Sequence, residues 1–143
     1  FSKNELVGTG RYTWSNGSSY QGGVSNSLRN GEGVFISADS TLVYEGFWKD
    51  GKRNGHGVQR YGVGTSCVST YVGEWQENFR HGRGTMTYAS GNTYEGDWVE
   101  GRKEGEGIMT WVHRRERYMG EWKADKQRGY GEHVWIEDRR GHL

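Results

Sequence analysis

Apolar side chains make up only 31% of the 143-residue sequence, too few for the compact core that a chain of this length ordinarily builds. Proline is absent, and a single cysteine, Cys67, leaves no internal disulfide to staple a fold. No apolar run approaches the roughly 20 residues that a bilayer-spanning helix needs. The formal net charge of +1 lacks the basic excess of a dedicated nucleic-acid binder. What the sequence does hold is glycine, 25 residues of it, a bias whose first reading is low-complexity disorder. Aromatics at 14% argue the other way, because disordered chains lack them. The expectation is an ordered, cytoplasmic chain with an unusual core, in which Asn16-Gly17-Ser18 is a turn and not a glycosylated sequon.

The order comes from a repeat. Tyr-x-Gly-x-Trp recurs at Tyr44 to Trp48, Tyr71 to Trp75, Tyr94 to Trp98 and Tyr118 to Trp122, with a fifth copy, Tyr20 to Val24, ending in valine. Eleven residues after each tyrosine stands Gly-x-Gly, at Gly31/Gly33, Gly55/Gly57, Gly82/Gly84, Gly105/Gly107 and Gly129/Gly131. The tyrosines lie 24, 27, 23 and 24 residues apart, and the longest interval marks a loop insertion between Tyr61 and Tyr71.

Along an extended strand, side chains alternate between faces. Tyr94, Gly96 and Trp98 therefore share one face, and Glu95 and Asp97 the other. In the second strand Gly82, Gly84, Met86 and Tyr88 share a face while Arg83, Thr85 and Thr87 point away. Six-residue connections such as Val99 to Glu104 are expected within a repeat, and short turns such as Ala89-Ser90-Gly91-Asn92 between repeats, so each repeat reads as one β-hairpin. A lone hairpin is marginal in water, and a single sheet has no second layer to pack on. Bare glycine backbone lets a neighbouring strand's ring lie over it, so rings on glycine would replace the missing core. This register puts every aromatic on that face except Phe1, Phe47, Phe79 and Tyr130.

Tyr-x-Gly-x-Trp, a hairpin turn that often holds glycine (Gly51, Gly101) and the later Gly-x-Gly resemble the MORN repeat over nearly the whole chain. The resemblance implies an all-β fold: an elongated, twisted, single-layer antiparallel sheet of consecutive hairpins with an aromatic-lined groove. A half repeat over 1–19 and full repeats beginning at 20, 44, 71, 94 and 118 make one array over 1–143. Ser27, Asn78 and Asp125 replace the turn glycine, Val24 the tryptophan, and Ser37 the ring other second strands carry. Gly8-Thr9-Gly10 reads as a second strand whose partner would precede residue 1, and a further tyrosine falls due near His142, so the array is expected to be a slice of a longer one.

No catalytic, metal or cofactor constellation is expected. The Gly-x-Gly elements lack the third glycine and Lys-Ser/Thr of phosphate loops, and His56, His81, His113, His133 and His142 show no i, i+4 ligand pair. Carboxylates such as Glu45, Glu74, Glu95 and Glu121 read as outward strand residues that oppose edge aggregation. The leading function is a non-enzymatic scaffold that binds a protein partner's helix or extended segment along the aromatic groove or sheet edge. The family resemblance implies a cytoskeletal setting, such as a ciliary or flagellar axoneme and its radial spokes. Partner contacts are expected at Trp75, Trp98 and Trp122 and at a variable slot two residues after the second glycine, which reads Tyr12, Phe35, Gln59, Met86, Met109 and His133. Two alternatives remain. Ten cations against five carboxylates in the hairpin connections, Lys52, Arg53, Lys126 and Arg128 among them, could bind acidic lipid as an adaptor; or the array could be an accessory domain of an enzyme, as in family members joined to lipid-kinase or lysine-methyltransferase domains.

Overall fold

The computed structural model describes residues 7–136. Part of the expected half repeat, Phe1 and the tyrosine position near His142 lie outside the described residues. Eleven strands follow one another: β1 Val7–Thr13, β2 Ser19–Ser25, β3 Leu28–Ile36, β4 Val43–Lys49, β5 Lys52–Tyr61, β6 Ser69–Gln76, β7 Phe79–Thr87, β8 Thr93–Val99, β9 Arg102–Trp111, β10 Glu116–Lys123 and β11 Lys126–Trp135. They form one open antiparallel sheet in chain order, each strand bonded only to its sequence neighbours. At about 4.8 Å between strands, the sheet is about 48 Å across.

The six-residue connections expected within repeats are not loops. Val99 ends β8 and Arg102 begins β9, so only Glu100 and Gly101 turn the chain. Both have positive φ, 47° and 84°, the mirror-image turn whose twist matches that of the flanking strands. The same turn forms at Asn26-Ser27, Asp50-Gly51, Glu77-Asn78 and Ala124-Asp125, so the missing turn glycines do not break the pattern. The valine at position 24 does not break it either: Val24 pairs with Arg29 just as Trp48 pairs with Arg53.

Between turn and strand centre every hairpin is irregular. Gly96 pairs with Gly107 and Trp98 with Lys103, leaving Asp97 opposite Glu104, Gly105 and Glu106. Gly105 takes a φ of +109°, which a side chain would resist. The Asp97 carboxylate accepts the Glu106 N–H at 2.9 Å, satisfying a donor that the bulge takes out of the ladder.

The register aligns the glycines into a row crossing the whole sheet. Gly10, Gly22, Gly33, Gly46 and Gly57 are paired neighbour to neighbour, and the row runs on through Gly73, Gly84, Gly96, Gly107, Gly120 and Gly131. Tyrosine rings lie over this row. A Cβ on Gly33, Gly57, Gly84, Gly107 or Gly131 would sit 2.1 to 2.2 Å from the hydroxyl of Tyr20, Tyr44, Tyr71, Tyr94 or Tyr118. Each ring covers the second strand of its own hairpin, and Tyr44, Tyr71 and Tyr94 are 0% exposed. Rings on bare backbone are the core of this one-layer fold.

Candidate interaction surfaces

The two faces of the sheet differ in whether they have anything left to bind with. On the aromatic face the first tyrosine of each full repeat donates its hydroxyl to the carbonyl three residues on, Tyr44 to Phe47 at 2.9 Å and Tyr71 to Glu74 at 2.8 Å. Four of the seven tryptophans reach back into the preceding repeat: Trp48, Trp75, Trp98 and Trp122 donate Nε1–H to the carbonyls of Gly33, Gly57, Gly84 and Gly107 at 3.1 to 3.3 Å. Tyrosines and tryptophans alternate edge to face with centroids 5.0 to 5.4 Å apart, from Tyr20 to Tyr118.

Arginines close this face. Arg29, Arg53 and Arg80 lie over Trp48, Trp75 and Trp98 at 4.4, 4.5 and 4.7 Å, and Lys103 lies over Trp122 at 5.7 Å. Each arginine also donates to a carbonyl in the turn of the next repeat, Gly51, Asn78 or Gly101, at 2.9 to 3.0 Å. Among the described residues no buried side-chain nitrogen or oxygen lacks a partner. Burial pushes the hydroxyls of Tyr44, Tyr71 and Tyr94 well above the ordinary tyrosine range.

The residues expected to contact a partner are therefore scattered between surface and core. Trp75, Trp98 and Trp122 are buried, and so are Gln59 and Met86, at 2% and 5% exposure. The variable slot sits between successive tyrosines, Phe35 between Tyr20 and Tyr44 and Met86 between Tyr71 and Tyr94, where it fills the gap between rings. Phe35 and Met109 are half-buried, while Tyr12 is exposed. His133 is exposed and bonds the carboxylate of buried Glu116, which Arg114 also holds at 2.8 Å. The aromatic groove is mostly filled by its own rings, leaving a hollow of about 250 Å³ beside Phe35, Leu42 and Gln59.

The supposed basic edge divides in the same way. Arg53 belongs to the aromatic face, stacked on Trp75 and bonded to Gln59. Lys52 pairs with Glu77 at 3.4 Å, and Lys126 and Arg128 are exposed on β11. The recurring cation two residues before Gly-x-Gly, Arg29, Arg53, Arg80 and Lys103, carried a legible signal of the staple; charge counting put it in a loop instead.

Sequence reasoning passed over the opposite face. Its central row runs Gln21, Val34, Glu45, Val58, Val72 and Thr85 and continues through Glu95, Ile108 and Met119. A hollow of about 920 Å³ opens there over β1 to β5, with Val34, Ile36 and Phe47 as its apolar lining and Arg11, Glu32, Glu45 and His56 as its polar one. Phe47 and Val72 are more than two-fifths exposed. Among the described residues no cluster of His, Cys, Asp or Glu could hold a metal ion.

The MORN repeat model matches residues 1–19, 20–42, 44–66, 71–93, 94–112 and 118–136, and in the last four of these a tryptophan bonds a glycine carbonyl of the repeat before while a tyrosine ring covers a glycine. The chain belongs to the MORN-repeat family. Protein TIC 100 of Arabidopsis thaliana is 43% identical over 47 residues, which are 33% of this chain and 5% of that protein. The MORN family is a non-enzymatic repeat module, and its repeats generally mediate protein or membrane interactions.

Proposed function

We propose that this MORN array is a non-catalytic scaffold whose protein partner lies across the face opposite the rings. The observation that supports it is the closure of the aromatic face. From Tyr20 to Trp122 its repeat tyrosines, tryptophans and arginines pack on one another, whereas on the other face Phe47, beside the hollow, and Val72 are each more than two-fifths exposed. A helix or extended segment running across the strands would meet one side chain of the central row per strand. Membrane binding through the basic residues has less to draw on, because Arg53 is stacked and Lys52 paired. The family resemblance supports a cytoplasmic, cytoskeletal or ciliary assembly as the setting.

A photo-crosslinking amino acid at Val72, at Trp111 on the aromatic face and at Phe79 beside a turn tests this in cells that express the protein. Adducts with a defined protein at position 72 are expected; adducts confined to 79 or 111 overturn the reading. Sedimentation with phosphatidylserine vesicles that is lost on reversing Lys126 and Arg128 to Glu would favour lipid binding instead.

A further inference from the structure

The open face carries a charge pattern that folding does not explain. Two of its carboxylates are neutralised in place, Glu45 by Arg60 and Asp97 by Arg83, each at 2.9 Å. Beyond these pairs the middle of the face holds Glu32, Glu74, Glu95, Glu106, Glu121 and Glu132 against Arg11 and Arg117, while Lys49, Lys52, Arg102, Lys123 and Lys126 share the face only at the turn ends of their strands. The cations of the chain are gathered elsewhere, on the rings and along the turns. A surface tuned only for solubility mixes the two signs.

One placement is unfavourable outright. Glu106 and Glu121 stand directly opposite each other across β9 and β10, and like charges in such a pair weaken a sheet. Beside them a hollow of about 310 Å³ opens over β7 to β10, with Ile108 and Met119 in its lining and Arg83, Glu95 and Glu106 as its charged groups, of which Arg83 is already paired with Asp97. An apolar wall with carboxylates around it matches a side chain that has a hydrocarbon stem and a cationic head.

We infer that this hollow receives lysine or arginine side chains of a cationic partner segment, the stem against Ile108 and Met119 and the head against Glu95, Glu106 and Glu121. The inference rests on the docking face proposed above and specifies its occupant: a polypeptide segment rich in Lys or Arg with apolar residues between them. The partner's remaining apolar residues would lie along Val58 and Val72, toward the larger hollow.

The test uses a 20-residue peptide of repeating Lys-Leu-Leu-Lys, its twin with Glu for Lys, and two triple variants of the protein. E95Q/E106Q/E121Q removes the proposed site. D50N/E77Q/E100Q removes as many negative charges from the turns. The lysine peptide is expected to bind the parent and the turn variant, to lose at least tenfold in affinity on the site variant, and to weaken between 50 and 300 mM NaCl as a screened contact must. The site variant should also melt at or above the parent's temperature, because a repulsive pair has gone. Equal loss in both variants, no loss in the site variant, or preference for the glutamate peptide overturns the inference. A protein captured at position 72 whose affinity ignores both salt and the site variant would overturn the cationic occupant and leave the docking face standing; absence of any adduct at 72 would remove both.

Discussion

Adding one methyl group at Gly107 should come close to unfolding the sheet. Its Cβ would lie 2.2 Å from the Tyr94 hydroxyl oxygen and 2.4 Å from two ring carbons, where ordinary contact begins near 3.4 Å, so the ring must retreat by more than 1 Å. Tyr94 has nowhere to go, being 0% exposed and held edge-on between Trp98 and Trp122 at 5.2 and 5.3 Å. Overpacking costs about 1 to 3 kcal/mol. Losing the bond from Tyr94 to the Asp97 carbonyl, now 2.9 Å, costs about 1 to 3 kcal/mol, and each disturbed ring pair about 0.5 to 1.5 kcal/mol. These losses overlap, so Gly107→Ala should destabilise by about 3 to 5 kcal/mol, a large share of the roughly 5 to 15 kcal/mol that holds a domain together. Gly8→Ala is the control: nothing lies within 4 Å of that Cβ, and urea denaturation followed by tryptophan fluorescence should shift by less than about 0.5 kcal/mol. Tyr94→Ala empties the space, so Gly107→Ala added to it should be nearly free, giving a coupling of about 3 kcal/mol. A Gly107→Ala protein within about 0.5 kcal/mol of the parent, or strictly additive with Tyr94→Ala, would refute rings on glycine as the core.

Arg80→Ala removes both the guanidinium over Trp98 and the bond to the Gly101 carbonyl, and should lower stability in the same assay by about 1 to 3 kcal/mol. Met86→Arg should cost about 2 to 4 kcal/mol because Met86 is buried between rings, whereas Met109→Arg at a half-buried position should cost less than half as much; equal melting curves would show the slot to be open surface. Stability should also fall in alkali. Burial holds the hydroxyls of Tyr44, Tyr71 and Tyr94 above their unfolded range, so the unfolded chain ionises first. Their contribution is complete below about pH 10 and is lost above it at up to about 1.4 kcal/mol per pH unit for each tyrosine; a denaturation midpoint that stays flat to pH 11 would contradict their burial.

The fold was legible because period-two alternation and an eleven-residue offset fix register as well as strand type. Once Tyr94 and Gly96 share a face with Trp98, the Gly-x-Gly of the next strand can come into line only where rings meet glycine. Turn geometry was less legible. Glu77-Asn78 and Ala124-Asp125 hold no glycine at either turn position, and positive φ in a glutamate or alanine is imposed by strands that are already paired. The surface was less legible for a physical reason. A residue's face can be read from alternation, but whether it remains free depends on partners several strands of sequence away, as with Arg53 on Trp75 and Gln59 beneath Arg53. The slot from Phe35 to Met109 varies in burial as well as in residue type, because each of its side chains lies between two tyrosine rings.

A single-layer sheet must solve with one face a problem that other β folds divide between two sheets. Here that face is completed within the chain: the ring covers glycine, the tryptophan bonds the glycine carbonyl of the repeat before it, and the arginine covers the tryptophan. Every one of these contacts joins a hairpin to itself or to its immediate neighbour, so the repeat tyrosines and tryptophans from Tyr20 to Trp122 are buried on one another. The consequence is a division of labour between faces. Side chains on the open face carry little of the packing and can be exchanged at small cost, so a destabilising pair such as Glu106 opposite Glu121 can persist there, whereas any comparable fault in the ring row would undo the sheet. In this chain the residues that recur in every repeat therefore lie on the face that folds, and the opposite face is left free to vary.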